Sequence, residues 1–374
     1  MNLSEIRSKI DAIDDDMLSL FVQRMELCMQ VADYKKNNSL PIVQGGREDQ
    51  IIERVKAQSP EEFSQASALL FTNIMDISKC LQAERNSNAE LIYGVPKQFL
   101  PQEAQVIACQ GATGSYNEEA CKKLFGVNKS IRFFENFKDV VGIVESGRAD
   151  FGILPLENST VGSIAETYEL MASHDFYITN IIRVEITHCL AAVKGADIEG
   201  IKRVFSKQEA LDQCSEFLRR MGFEQLPFAN TALAAKMVRE KGDKSIACIC
   251  SKHCAEINGL EILEEKAADA YPNYTKFICF SNRFYAPADA HTISVMFSVP
   301  HTAGGLYRVL TKFAVNGLNL KRIVNKAVKG TDFEAFMILD FDGRYSDKKV
   351  AAFLDDMKNS LGYFKFLGNF SETN

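Results

Sequence analysis

Four polar side chains follow one another at Glu157-Asn158-Ser159-Thr160, directly behind the apolar run Phe151 to Leu156. A carboxylate, an amide and hydroxyls at the carboxyl end of a buried strand can bind an anion or handle a proton. Pro155 is expected to end that strand. Ile164, Tyr168 and Met171 recur at helical spacing, and Ser163 with Glu166 predicts a capping box. The corner thus reads as strand, turn and helix, with Glu157 beside the helix start. A well-capped corner without function has the same pattern. A second set of charges lies near the amino terminus. Leu3, Ile6, Ile10, Ile13, Met17, Leu20, Arg24, Leu27, Val31 and Tyr34 step by three and four. They predict one helix of about 33 residues, about 50 Å long. Arg24 sits on its apolar seam, where an unpaired guanidinium is costly. Lys35 follows three turns later on the same side, so both can converge on one anion. Arg7 lies about 25 Å from Arg24 along the axis and reaches the same small ligand only from a second copy.

The elements that must hold these groups can be read in order. The long seam needs a partner chain to cover it. After Pro41, Arg47 and Glu48 open a second helix, and a third runs from about Glu61 to Arg85. On that third helix Ser78 and Gln82 lie one turn apart, beside Leu70, Ile74, Ile77 and Leu81. The pattern leaves open a plain dimerisation module and an anion-binding pocket. Residues 86–103 lose helical periodicity around Gly94, Pro96 and Pro101 and read as a linker. From Gln105 onward strands and helices alternate, and the turn Gly111 to Tyr116 is expected to offer backbone N–H groups to a carboxylate. A second lobe is expected from near Ile178, with a helix from Glu209 to Met221. The chain then returns near Tyr274 to Ile278 to close the first lobe. Two such lobes with a cleft are the plan of solute-binding proteins. Residues 291–370 follow a β-α-β-β-α-β order, the ferredoxin-like arrangement, with Gly304-Gly305-Leu306 opening its first helix.

Of 374 residues, 46% are hydrophobic and 25% charged, with a net charge of −6. That balance describes a soluble chain of two to three domains and argues against nucleic acid as the main partner. No run is long enough to span a bilayer, and Met1-Asn2-Leu3-Ser4-Glu5 lacks the pattern of an export signal, so a cytoplasmic location is expected. The ten cysteines lie mostly in apolar runs and read as reduced small hydrophobes. Cys248, Cys250, His253 and Cys254 lack paired-ligand spacing, and no zinc is expected there.

These stretches together resemble the bifunctional chorismate mutase–prephenate dehydratase family. The helical segment is similar to its three-helix mutase domain at Arg7, Arg24, Lys35, Arg47, Glu48, Ser78 and Gln82; Gln44 stands where that family carries an acid. The dehydratase is resembled at Gly111 to Tyr116, Glu157-Asn158-Ser159, Ser206 with Gln213, and Asn273 to Phe277. There Lys276 replaces the usual arginine, and Lys207-Gln208-Glu209 replaces His-Pro-Gln after Ser206. His188 also fits that family and reads as a satisfied structural histidine. Residues 291–370 resemble the regulatory ACT domain, with Ile323-Val324-Asn325-Lys326-Ala327 departing from the segment of phenylalanine-sensing members. The resemblance implies an all-α dimeric mutase domain (1–87), a two-lobed α/β periplasmic-binding-protein-like dehydratase domain (104–283) and an α+β ACT domain (291–370).

It also implies the chemistry: rearrangement of chorismate to prephenate, then dehydration and decarboxylation of prephenate to phenylpyruvate, without metal or organic cofactor. In the first site Arg24 and the second copy's Arg7 would clamp carboxylates. Lys35 and Gln82 would donate to the ether oxygen, Arg47 and Glu48 would hold the ring side, and Ser78 would assist at a carboxylate. In the second, Thr275 and Glu157 are the candidate proton donors, with Asn158, Ser159, Ser206, Gln213 and Lys276 around the substrate. Gly304, Gly305 and Leu306 are the candidate allosteric turn, and phenylalanine the implied effector, with weak inhibition expected from the altered segment. A homodimer or higher homo-oligomer is expected. The rival reading is a non-catalytic amino-acid or solute sensor with a helical dimerisation module.

Overall fold

The structure, a computed structural model, describes residues 2–38, 46–86, 91–299, 301–327 and 335–373. Gln44 and Pro41 lie outside them. The chain divides into two compact units, one of residues 1–94 with 293–366, the other of residues 95–292 with 367–374.

The first unit begins with three helices, α1 (Leu3–Asn37), α2 (Arg47–Gln58) and α3 (Ser64–Asn86). Asn2 caps α1 by accepting from the Glu5 N–H at 2.9 Å, while the Asn2 N–H donates to the Glu5 carboxylate at 3.1 Å. The 35-residue α1 matches its apolar period, yet within this chain it buries only Met25 and Ala32. Leu3, Ile10 and Leu20 remain 62%, 50% and 64% exposed. Arg85 forks onto Asp33 at 2.7 and 2.9 Å, so α1 and α3 reach the same end of the bundle.

The second unit has two lobes. The first contains β1 (Lys97–Gln98), β2 (Val106–Gln110), α4 (Tyr116–Phe125), β3 (Ser130–Phe134), α5 (Phe137–Glu145), β4 (Phe151–Asn158), β5 (Gly162–Ser163), α6 (Ala165–Ser173) and β6 (Tyr177–Glu185). The second contains β7 (Cys189–Ala192), β8 (Arg203–Ser206), α7 (Gln208–Asp212), α8 (Ser215–Met221), β9 (Glu224–Pro227), α9 (Thr231–Lys241), β10 (Ile246–Cys250), α10 (Lys252–Ile257) and β11 (Glu261–Glu264). The chain then re-enters the first lobe as β12 (Tyr274–Ser281), and β13 (Tyr285–Ala286) pairs with β1. The first sheet has the order β6-β12-β4-β2-β3, the second β11-β7-β10-β8-β9. Strand β10 is buried along its whole length because it is central and covered on both faces. Ala247 and Ile249 enter one core; Ile246, Cys248 and Cys250 enter the other.

Four sequence expectations change here. β4 runs past Pro155 to Asn158, because a bulge against β12 skips Leu156 and accommodates a residue that cannot donate. Ser163 does not cap α6: it pairs with Glu157 as β5, and Ile164 takes the cap position without a side-chain bond. Residues 177–185 belong to the first sheet, so the second lobe starts at Cys189 rather than near Ile178. The expected helix from Glu209 to Met221 breaks into α7 and α8 at Gln213-Cys214.

Residues 293–366 of the first unit supply β14 (Thr292–Ser298), α11 (Gly305–Val315), β15 (Leu320–Ala327), β16 (Ala335–Asp342), α12 (Lys348–Ser360) and the start of β17 (Phe364–Thr373), whose residues from Leu367 onward belong to the second unit; the sheet order is β15-β16-β14-β17. Phe313, Phe341 and Phe353 pack edge to face with centroids 4.7 to 5.6 Å apart. Gly304 precedes α11 at φ +81, a left-handed position suited to glycine. Helices α11 and α12 lie against α3.

Candidate active sites

In the second unit β12 and β4 are antiparallel and place Thr275 opposite Asn158. The Asn158 Nδ2 donates to Thr275 Oγ1 at 2.9 Å and to Asn273 Oδ1 at 2.7 Å. Its Oδ1 accepts from the N–H groups of Thr160 and Val161, which locks the amide's orientation. Ser159 bonds the Tyr274 N–H at 2.9 Å and leans on Asn273 at 3.4 Å. Asn273, 1% exposed, donates to Gln213 Oε1 at 3.3 Å, and Gln213 Oε1 is 2.8 Å from His188 Nε2. The His188 Nδ1 lies 3.3 Å from the Tyr116 hydroxyl, which donates to the Thr187 carbonyl at 2.8 Å. Burial holds the His188 pKa below its ordinary value, partly opposed by the Gln213 bond. Because Gln213 Oε1 is an acceptor, a ring proton on Nε2 lets His188 donate to it, while the Tyr116 proton stays on the Thr187 carbonyl. One polar chain therefore runs from α4 through the second lobe to Thr275. Among the described residues the Thr275 hydroxyl has an Asn158 donor and no protein acceptor for its own proton.

Other expected residues lie elsewhere. Successive strand residues face opposite sides, so Glu157 and Lys276, which pair in register, stand on the face opposite Asn158 and Thr275. Lys276 reaches Glu372 at 3.3 Å. Ser206 is fully buried and donates to the Ile249 carbonyl at 2.7 Å, which commits its proton to the second lobe's own backbone. The Gly111 to Tyr116 turn uses several of its N–H groups internally: Gly111 donates to Phe134, Ser115 to Ala112, and Gly114 to the Glu118 carboxylate at 2.6 Å. His188 and Asn273 carry more of the network than the sequence signalled. A buried histidine and a polar residue before a strand ordinarily mean packing and a turn. Among the described residues no three His, Cys, Asp or Glu side chains gather as metal ligands. His253 instead lies 3.2 Å from Lys122.

In the first unit Ser78 and Gln82 are both buried on α3. Gln82 Oε1 has no hydrogen-bond partner, and such an orphan costs about 1–3 kcal/mol unless a ligand meets it. Arg24 is half-buried, and among the described residues it donates to the Cys28 sulfur at 3.8 Å. Among the described residues Arg7, Arg24 and Arg47 form no ion pair. Glu48, at the start of α2, lies 3.1 Å from Lys79 and 3.7 Å from Arg308. Arg7 and Arg24 lie on one unbroken helix, so a single chain does not bring them to one small ligand.

The sequence pattern described as chorismate mutase type II matches residues 6–83, and that of prephenate dehydratase matches residues 107–284. A bifunctional chorismate mutase/prephenate dehydratase of Aquifex aeolicus is 26% identical across 98% of this chain and 97% of its own length. The chain belongs to the chorismate mutase–prephenate dehydratase family. Arogenate dehydratase/prephenate dehydratase 1 of Arabidopsis thaliana is 30% identical, covering 70% of this chain and 71% of its own. A prephenate dehydratase from Arthrobacter aurescens, solved with L-Phe, superposes with a TM-score of 0.65 at 27% identity, over 71% of this chain and 89% of that one. The family joins two reactions of phenylalanine biosynthesis, and this chain carries both catalytic units: an isomerase making prephenate and a lyase consuming it. The sensor reading loses its ground.

Proposed function

We propose that Thr275 is the proton-delivering residue of the dehydratase. Aromatisation drives loss of carbon dioxide, so the difficulty lies in expelling hydroxide from the ring. A proton placed on that oxygen lets it leave as water. A threonine hydroxyl is a weak acid, so it acts by positioning and relay, giving its proton to the leaving oxygen and taking one back from water. The observation that carries this reading is the Asn158 bond to Thr275 Oγ1, which leaves the hydroxyl proton to be aimed at a substrate. Glu157, on the other face of the pleat, suits this role less. Asn158, Ser159 and Gln213 hold the frame, with Ser206 and Lys276 behind it. In the mutase, Arg24 and the second copy's Arg7 bind the carboxylates, and Lys35 and Gln82 meet the ether oxygen. Arg47, Glu48 and Ser78 complete the pocket. The exposed seam of α1 supports a homodimer as the working form. The three-domain division (1–87, 104–283, 291–370) is part of the same proposal. The observed β-α-β-β-α-β order supports a ferredoxin-like ACT fold, in which Gly304, Gly305 and Leu306 form the effector turn for phenylalanine. The described residues contain no helix long and apolar enough to cross a membrane, in keeping with a cytoplasmic enzyme.

One mixing experiment tests the shared mutase site. Arg7→Ala and Arg24→Ala proteins should each lose chorismate rearrangement and keep prephenate dehydration. Mixed and allowed to exchange subunits, they should recover about a quarter of the parent mutase rate, because half the dimers are hybrids with one intact site of two. Recovery of nothing refutes a site shared between copies. Loss of dehydration in either folded variant refutes two independent sites.

A further inference from the structure

Glu48 is held from two directions. Lys79, on α3, lies 3.1 Å from it and 2.6 Å from Asp76. Arg308, on α11, contacts the same two acids: its guanidinium forks onto Asp76 at 3.1 and 3.2 Å and reaches Glu48 at 3.7 Å. Two cations and two carboxylates thus form a closed ring drawn from α2, α3 and α11. Asp76 is 5% exposed, so its charge needs these partners, and the Arg308 pKa is raised, chiefly by that hydrogen bond. The neighbouring contact, Asn73 to the Tyr307 hydroxyl at 3.1 Å, joins the same two helices without touching Glu48.

We propose that Arg308, a residue of the C-terminal fold, is a positioning residue for the mutase reaction. Resting on the mutase reading above, it sets Glu48 by neutralising Asp76, so that Lys79 remains shared between the two acids. Without Arg308, Asp76 keeps one cation only. Lys79 is then drawn toward the more buried carboxylate, and Glu48 loses both of its anchors. The residue sits four positions after Gly304, one turn into α11. Any change in how that turn enters the helix therefore moves the guanidinium first. The C-terminal fold acts on the mutase through one ion-pair ring.

Steady-state kinetics of the full chain test this. Arg308→Gln should lower kcat/KM for chorismate by on the order of tenfold, the coupling expected between charges in one network. Its kcat/KM for prephenate should match the parent's. Arg308→Lys should recover part of the loss, since it restores the charge without the fork. In a Glu48→Gln background, Arg308→Gln should cost nothing more. Tyr307→Phe, which breaks the adjacent contact, should leave both reactions unchanged. Parent-like mutase kinetics in Arg308→Gln overturn the proposal. So does a full additional loss in the Glu48→Gln background, or an equal loss in Tyr307→Phe, either of which makes Arg308 a packing residue. If Glu48→Gln alone matches the parent, the role of Glu48 fails and the proposal with it.

Discussion

Replacing Thr275 by alanine separates chemistry from folding, and the structure gives the size of each effect. The hydroxyl accepts one bond, from Asn158 at 2.9 Å, and the residue is 7% exposed. After its removal Asn158 Nδ2 keeps Asn273 at 2.7 Å and the Tyr274 carbonyl at 3.2 Å, so no buried donor is orphaned. The stability cost should stay near 1 kcal/mol, small beside the roughly 5–15 kcal/mol that holds a domain folded. Loss of a donor aimed at charge developing in the transition state costs far more, about 10²–10³ in rate, or roughly 3–4 kcal/mol. Thr275→Ala should therefore lower kcat for phenylpyruvate formation by that factor with little change in KM, as expected for a contact made mainly in the transition state. Its melting temperature should fall by only a few degrees. Thr275→Ser, which keeps the hydroxyl, should keep most of the rate. Parent-like kcat in Thr275→Ala would refute the reasoning and leave Glu157 as the candidate acid, despite its place on the other face.

The buried His188 predicts a pH limit. Its folded pKa lies below the ordinary 6.5, so the unfolded chain binds the proton more readily. Its contribution to stability is complete above about pH 6.5 and is lost as pH falls toward the folded pKa. Thermal unfolding across pH 5 to 8 should show that slope in the parent and a flatter one in His188→Gln. Phenylalanine should inhibit the dehydratase weakly, because Val324-Asn325-Lys326-Ala327 departs from the sensing segment; strong inhibition at low concentration would contradict this.

The helices were legible because their cause is local. Nine apolar positions and Arg24 at one period predict α1 whatever its neighbours, and the exposed seam is what that period leaves over. The loss of helical period after residue 86 likewise marked where the bundle ends. Pro155 misled because the bulge that admits it is made by the opposing strand β12. Ser163 misled because pairing with Glu157 competes with capping for the same residue. The network behind Thr275 was the least legible. Asn273 meets Gln213 across 60 residues and Asn158 across 115. No spacing rule connects such partners, and only the return of β12 into the first lobe brings them together. Ser206, read as a substrate contact, spends its hydroxyl on a backbone carbonyl instead.

Strand β17 carries a consequence for synthesis on the ribosome. Ser371, Glu372 and Thr373 pair in parallel with Asn180, Ile181 and Ile182 on β6, and Asn180 bonds Ser371 across 191 residues of chain. At roughly 5–20 residues per second, the translating chain waits on the order of 10–40 s between those two points. During that interval β6 shows an unpaired edge of apolar residues to every other nascent chain on the same message. Such an edge invites pairing with a stranger before its own strand arrives. A chain of this design should lean on trigger-type chaperones, and slow codons placed after β6 should harm its yield more than slow codons placed before it.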